Sequence, residues 1–349
     1  MAARTAHLGA AGEVSAFFAD PILALESSCD ETSASVVHGT SVLSNIVSSQ
    51  IELHRKWGGV VPEAAARAHV EAILPVIEEA LSGASVELKD IRAIAVTNRP
   101  GLVGALSVGV SAAKALAFSL GIPLIGIHHL EGHLLSTLAV RPDLPFPHTC
   151  LIVSGGHTEL VQVDGFGSYR IVGHTRDDAA GEAFDKGARL LGLGYPGGKA
   201  IQDAAMAGNP KRYPLPKGLS GETIDFSFSG LKTAMLRLVQ NEGSAISVPD
   251  AAASLQATIV NVLVERAMRA CDQLESRALS LVGGVAANRS LRERLAETCE
   301  QAGIDFIVPP IDLCTDNAAM IGLAASTRLA RGERDGFDLD CIASVELGS

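Results

Sequence analysis

Aromatic side chains make up only 4% of the 349 residues, too few for an extended stacking surface of the kind that holds single-stranded nucleic acid. Cations are also scarce: 28 Lys and Arg face 39 Asp and Glu, a net charge of -11. The average surface therefore lacks what phosphate binding needs, which excludes strong unaided binding of RNA or DNA by anything but a local basic groove or a basic partner. The six cysteines, at 29, 150, 271, 299, 314 and 341, include no CxxC pair, so neither a disulfide scaffold nor a zinc ribbon is indicated. A bilayer span needs about 20 consecutive apolar residues. The most apolar region, 101–127, is split by Lys114 into two uncharged runs of 13. Residues 1–20 carry Glu13 and Asp20 and lack the apolar centre of a secretory signal. These absences lead us to expect a reduced, soluble, cytoplasmic protein with no membrane association.

Hydrophobic residues reach 47%, enough for sizeable cores, and glycine accounts for 35 of 349 positions, which suits an α/β protein with tight turns. Residues 1–20, Ala/Gly-rich and without pattern, read as a loose tail. The folded part opens at 22-ILALESSCDETSASVV-37, an apolar strand, a polar turn and a second strand. Strand–turn–helix units follow at 91–120 and 122–138. The opening pattern then returns at 149-TCLIVSGGHTELVQVDG-165, followed by helices at 177–192 and about 249–274 and by further units at 278–295 and 305–325. Two halves with the same opening predict two duplicated α/β lobes, 21–147 and 148–349, around a cleft.

Three turns at strand ends, 27-SSCDETS-33, 154-SGGHT-158 and 283-GGVAAN-288, have the composition of anion-binding nests, and their matching positions point to a nucleotide. None is a Walker A loop, since no G-K-[ST] follows. In 126-GIHHLEGHLLST-137, His129 and His133 are four apart on one face of a helix, while His128 and Glu131 point elsewhere. The stretch is not H-E-x-x-H, and a bare H-x-x-x-H is often merely structural. Asp316, in 314-CTDNAAM-320, is the candidate third ligand. Two imidazoles and a carboxylate would leave open positions on iron(II) or zinc.

The ordered motifs 26-ESSCDETS-33, 57-WGGVVPEAAARAH-69, 96-VTNRPGLVGAL-106, 128-HHLEGH-133, 152-IVSGGHTEL-160, 181-GEAFDKGARLLGLGYPGG-198, 226-FSFSGLK-232, 284-GVAANRSLR-292 and 314-CTDNAAMI-321 together resemble the TsaD (Kae-type, Gcp) family, from about residue 22 to 330. The resemblance implies a fold of the actin/Hsp70/sugar-kinase (ASKHA) type. It also implies transfer of a threonylcarbamoyl group from threonylcarbamoyl-adenylate to N6 of the adenosine 3′ of the anticodon in tRNAs that read codons beginning with A. Carried over by position, it assigns the metal, iron(II) with zinc as the alternative, to His129, His133 and Asp316. The donor falls to Ile152, Val153, Ser154, Gly155 and Gly156, with Asp185, Gly198 and Asn288 at its nucleotide end. Glu26, Asp30 and Glu31 become the acidic turn facing the reacting centre, Asp30 being the first choice of base. A TsaB-like paralogue and a TsaE-like ATPase are implied as partners. Two departures stand out. Asn98 and Arg99 replace a small Ala-Gly, which sets a cation either against tRNA phosphate or in a solvated loop. Gln202, beside Asp203, replaces an Asp that contacts ribose. Competing readings are a metalloprotease, which lacks its base here, a non-catalytic scaffold paralogue, which would lack the histidines, and a small-molecule kinase.

Overall fold

The computed structural model describes residues 16–348. The first half contains β1 (Pro21–Glu26), β2 (Glu31–His38), β3 (Ser41–Ser49), α1 (Ile51–Arg55), α2 (Pro62–Ala84), β4 (Ala93–Arg99), α3 (Val103–Leu120), β5 (Leu124–His128) and α4 (His129–Leu135). The second contains β6 (His148–Val153), β7 (Thr158–Gly165), β8 (Ser168–His174), α5 (Ala180–Leu190), α6 (Gly197–Ala205), α7 (Ser229–Glu242), α8 (Val248–Gln273), β9 (Ala278–Val282), α9 (Arg289–Ala302) and β10 (Asp305–Ile307); α10 (Ala318–Ala330) follows.

The strands form two five-stranded sheets, ordered β3-β2-β1-β4-β5 and β8-β7-β6-β9-β10. In each, the first three strands run antiparallel as a meander, and the last two join parallel to the first through helical crossovers. The expected duplication is therefore one of topology, strand for strand.

Both faces of each sheet are covered, which is why β1, β4 and β6 read as unbroken apolar runs. Side chains alternate between the faces. Leu23 and Leu25 enter a core with Ile73, Ile77 and Val110 of α2 and α3, whereas Ile22 and Ala24 face the other way. In β6, Leu151 and Val153 face α5, α8 and α9, while Cys150 and Ile152 join Ile22 and Ala24 in a core built around α4 and α10. That shared core binds the two sheets together. α3 is long and apolar enough to cross a membrane, but Ala105, Leu106, Val110, Ala113 and Ala117 on its inner side are buried against the first lobe.

α10 departs from the division at residue 147. It follows β10 in the chain yet packs on β1, β2 and α4 of the first lobe. Gly322 permits the approach, since a Cβ there would stand 2.5 Å from Val37 Cγ2. Its start is held from the same lobe: Ala318 N donates to Ser33 Oγ (2.9 Å) and Ala319 N to Asn45 Oδ1 (3.3 Å), while Asn317 Oδ1 caps Met320 N (3.0 Å). Beyond α10 the chain runs along β5, where Asp335 N donates to Leu124 O (2.8 Å) and Gly126 N to Asp335 Oδ2 (2.7 Å). Of the segment read as a tail, residues 1–15 lie outside the described residues. Phe18 N donates to Ser326 O of α10 (3.0 Å), and Phe17 meets Phe166 edge-on.

In the second lobe, one carboxylate anchors α7. Asp177 Oδ1 accepts from Phe228 N (2.7 Å) and Ser229 N (3.1 Å), and Oδ2 from the hydroxyls of Ser227 (2.5 Å) and Ser229 (2.7 Å). Burial opposes its charge, but these donors outweigh it and hold the carboxyl down to about 2. A folded-state value below the ordinary one means stabilisation that is present above about pH 4 and lost as pH falls toward 2. Asp177→Asn should cost about 1 kcal/mol at neutral pH. In denaturant titrations, the gap to the parent should close on acidification; a gap independent of pH would show that the charge contributes nothing.

Candidate active site and metal centre

The three turns singled out in the sequence meet in one cleft of about 1020 Å³ between the sheets, at the C-terminal ends of β1, β6 and β9. Parallel α/β sheets place ligands at such strand ends, where loops converge and helix N-termini point inward. Gly181 and Gly283 let backbones come together: an added Cβ would lie 2.5 Å from Ser154 O and 2.4 Å from Val153 O, respectively, and Gly283 has φ +92°. Gly155 and Gly156 differ, because nothing lies within 4 Å of a Cβ added to either. Packing therefore does not require glycine at either position, and both face the open cleft.

Of the stretch expected to touch the donor, Ser154, Gly155 and Gly156 line the cleft, together with His157. Ile152 and Val153 do not line it; their side chains are buried in the two cores flanking β6. Asp185 lines the cleft from α5 and accepts from Gly197 N (2.7 Å), and Gly198 stands beside it in open space. Asn288 caps α9 through Leu291 N (3.0 Å) and donates to Gln256 Oε1 (2.9 Å). Gln202 also lines the cleft, but its Oε1 is engaged by Arg289 N (2.7 Å), and Asp203 pairs with Lys199 (2.8 Å).

The histidines come from α4. A Nε2 of His133 lies 3.0 Å from Asp316 Oδ1, and His129 Nε2 lies 3.5 Å from the same oxygen. One donor atom from each of the three residues falls within a 4.8 Å spread. Glu26 stands behind this group. Its carboxylate is fully buried and absent from the cleft wall, so of the three acidic residues read as facing the reacting centre it is the exception. It accepts from Thr97 Oγ1 (2.5 Å) and Ser28 N (2.6 Å), and its Oε2 lies 3.2 Å from His129 Nδ1. Glu26 Oε2 and Ser28 Oγ, both 3.2 Å from Nδ1, hold the ring so that Nε2 faces Asp316, the orientation that a metal ligand requires. Burial disfavours charge throughout, yet His129 is raised well above its ordinary value by Asp316 and Glu26. Asp316 is held well below its own, chiefly by His129. Two imidazole nitrogens and a carboxylate oxygen with open positions fit a borderline divalent cation.

Asp30 and Glu31 do line the cleft. Burial, then the charges of Asp316 and Asp30, push Glu31 up to about 9 although Ser49 Oγ donates to it (3.1 Å). The turn is propped from below by His69, whose Nε2 donates to Cys29 O (3.0 Å) while Nδ1 meets Thr32 Oγ1 (2.7 Å). A buried histidine eight residues into a helix gives no local sign in the sequence of what it supports. Burial, with His129 and His133 nearby, pushes His157 down to about 4. Glu131 is buried on the far side of α4, against Tyr169 Oη (3.1 Å) and Arg328 (3.5 Å).

Asn98 and Arg99 end β4 and do not sit in a solvated loop. Asn98 is buried and donates to Asp340 O (2.9 Å), and Arg99 donates to Asn98 Oδ1 (2.6 Å) beneath the C-terminal segment. That segment continues over the cleft, where Ala343, Ser344 and Val345 join the lining. Nothing in its sequence pattern signalled this.

Two lobes of common topology, joined by a shared core and closing on a cleft with nest-like turns, define an ASKHA-type protein with a metal-capable centre. Solved structures of that build match at low identity: full-length HypF (16% identical, TM-score 0.58, covering 90% of this chain and 47% of that one) and the Acidaminococcus fermentans (R)-2-hydroxyglutaryl-CoA dehydratase component A (14%, TM-score 0.55, 89% and 99%). The chain belongs to the TsaD family, tRNA N6-adenosine threonylcarbamoyltransferase, whose model matches residues 41–323. Relatives of that name from Anaeromyxobacter dehalogenans (strain 2CP-C) and Clostridium botulinum (strain 657) are 53% and 50% identical, covering 93% and 94% of this chain and 99% and 98% of theirs.

His133→Ala should lose most of the bound metal by elemental analysis while keeping the parent's fold by circular dichroism; equal metal content would remove the ligand assignment. Gly155→Val adds bulk only toward the cleft, so affinity for a non-hydrolysable donor analogue should fall at least about tenfold in calorimetry. Unchanged affinity would reduce 154–157 to a hairpin turn.

Proposed function

We propose that this chain transfers a threonylcarbamoyl group from threonylcarbamoyl-adenylate to N6 of the adenosine 3′ of the anticodon in tRNAs reading ANN codons, releasing AMP. The observation that carries the reading is the convergence of the Ser154–Gly156 turn, the acidic turn and the His129–His133–Asp316 group on one cleft. The donor is a mixed anhydride with a good leaving group, so positioning can replace a protein nucleophile. Ser154, Gly155 and Gly156 would cradle its phosphate and carbamoyl oxygens, and Asp185, Gly198 and Asn288 its nucleotide end. His129, His133 and Asp316 would hold a divalent metal, iron(II) or zinc, which supplies Lewis-acid polarisation of donor oxygens.

The N6 amine attacks the carbamoyl carbon, the carbon–oxygen bond to phosphate breaks, and AMP leaves with the electron pair. The N6 proton needs an acceptor. Glu26 is engaged behind His129 and absent from the cleft wall, whereas Asp30 lines the cleft, and we assign Asp30 as the base. A metalloprotease finds no support, because Glu131 is turned away from the cleft. A cytoplasmic location suits a tRNA acceptor. A TsaB-like paralogue and a TsaE-like ATPase are the partners we expect, and the exposed Val70 and Leu74, one turn apart on α2, offer an apolar face to the first.

Asp30→Asn should lower single-turnover transfer by about two orders of magnitude. Donor affinity and metal content should stay at parental values, since the loss arises in the transition state. A parental rate would exclude Asp30 as the base; a joint fall in rate and occupancy would make it a positioning residue.

A further inference from the structure

Beside the cleft lies a second cavity of about 560 Å³ that shares Gly58, Asp185 and Tyr195 with it and adds Arg55 and Arg189. Lys56 and Trp57 continue the same rim. Lys56 Nζ sits 4.1 Å from the centre of the Trp57 ring, and Trp57, the chain's single tryptophan, is 48% exposed. In a chain of net charge -11 with few aromatics, three exposed cations and this ring are gathered at the mouth of the cleft. Two acids oppose them. Glu52 pairs with Arg55 at 2.7 Å, but both side chains are largely exposed, and such pairs are weak enough to yield to a phosphate. Asp185 faces Arg189 from within the cleft and is already engaged by Gly197.

The platform is held in place. Trp57 N and Gly58 N both donate to His54 O (3.0 and 3.1 Å). The buried His54 meets Gln50 Oε1 (3.1 Å) and accepts from Val61 N (3.3 Å). Gly58 turns the chain at φ +67°, and Arg189, from the opposite lobe, donates to its carbonyl. The rim thus bridges the two lobes where a substrate too large for the cleft would have to rest.

We infer that this rim seats the single-stranded RNA flanking the target adenosine, with Arg55, Lys56 and Arg189 on backbone phosphates and Trp57 stacked on a neighbouring base. The inference rests on the tRNA acceptor proposed above. Cation–phosphate contacts register as salt dependence, whereas stacking does not. The test uses the full chain, metal-loaded, with tRNA bearing an unmodified target adenosine and a salt series. Replacing Arg55 and Lys56 by Gln should weaken binding and reduce the slope of log affinity against log salt by about 1.4, at about 0.7 per phosphate on a single strand. Trp57→Ala should weaken binding at least about fivefold with the slope unchanged, and Trp57→Phe should recover most of the loss. Donor-analogue binding and metal content should match the parent in every variant. Parental tRNA affinity and slope in the variants, or a loss shared equally with donor binding, would overturn the rim assignment and leave the acceptor reading standing. Failure of the parent to bind tRNA even with its paralogue partner added would overturn the acceptor reading, and the rim assignment with it.

Discussion

The seating of α10 against the first sheet is the constraint on which the site depends. Asp316 stands one residue before the Asn317 cap of that helix, and its carboxylate meets His129 and His133 because Ala318 and Ala319 are hydrogen-bonded to β2 and β3 and Gly322 lets the helix close on Val37. The result is a buried cluster of two carboxylates and two imidazoles. Buried charges are tolerated only when paired, and here each is: Glu26 and Asp316 lie on either side of His129, one at each ring nitrogen. The same pairing fixes the ring's orientation, with Nε2 toward Asp316, so the support for the cluster and its competence to hold a cation are one arrangement.

The duplicated lobes place chemically opposite turns at equivalent positions. After β1 comes an acidic turn, propped by His69 and crowded enough to push the Glu31 carboxyl well up from its ordinary value. After β6 comes a turn with two glycines open to the cleft. One fold unit, used twice, thus presents carboxylates from one side and bare backbone from the other, which suits a donor carrying anionic oxygens and an acceptor that must lose a proton. Helix termini add to the second side: Asn288 and Gln202 both attend the start of α9 at the cleft wall. Gln202 therefore has a structural partner in place of a free carboxylate.

Much of this was legible in the sequence because it is local. Apolar runs interrupted by Ser/Gly turns revealed the strands and their repetition, since a strand buried on both faces has no polar alternation to hide it. The i, i+4 spacing placed His129 and His133 on one helical face, and Glu131 on another, before any tertiary contact was known. Turn composition marked the three loops that line the cleft.

What only tertiary structure decided was how residues far apart in the chain meet. Glu26 shares a motif with Asp30 and Glu31 but ends a strand, so its side chain turns inward to His129 while theirs reach the cleft. Ile152 and Val153 share a motif with Ser154, yet strand alternation sends each into a core. Arg99 and the residues from Asp335 to Val345 carry no periodic signal, and their positions follow from hydrogen bonds to β4 and β5 that no local pattern encodes. α10 likewise belongs to one half by sequence and packs in the other. Periodicity and turn chemistry act over a few residues and can be read along the chain; which lobe a helix closes upon is settled by the fit of its surface, here a glycine against a valine.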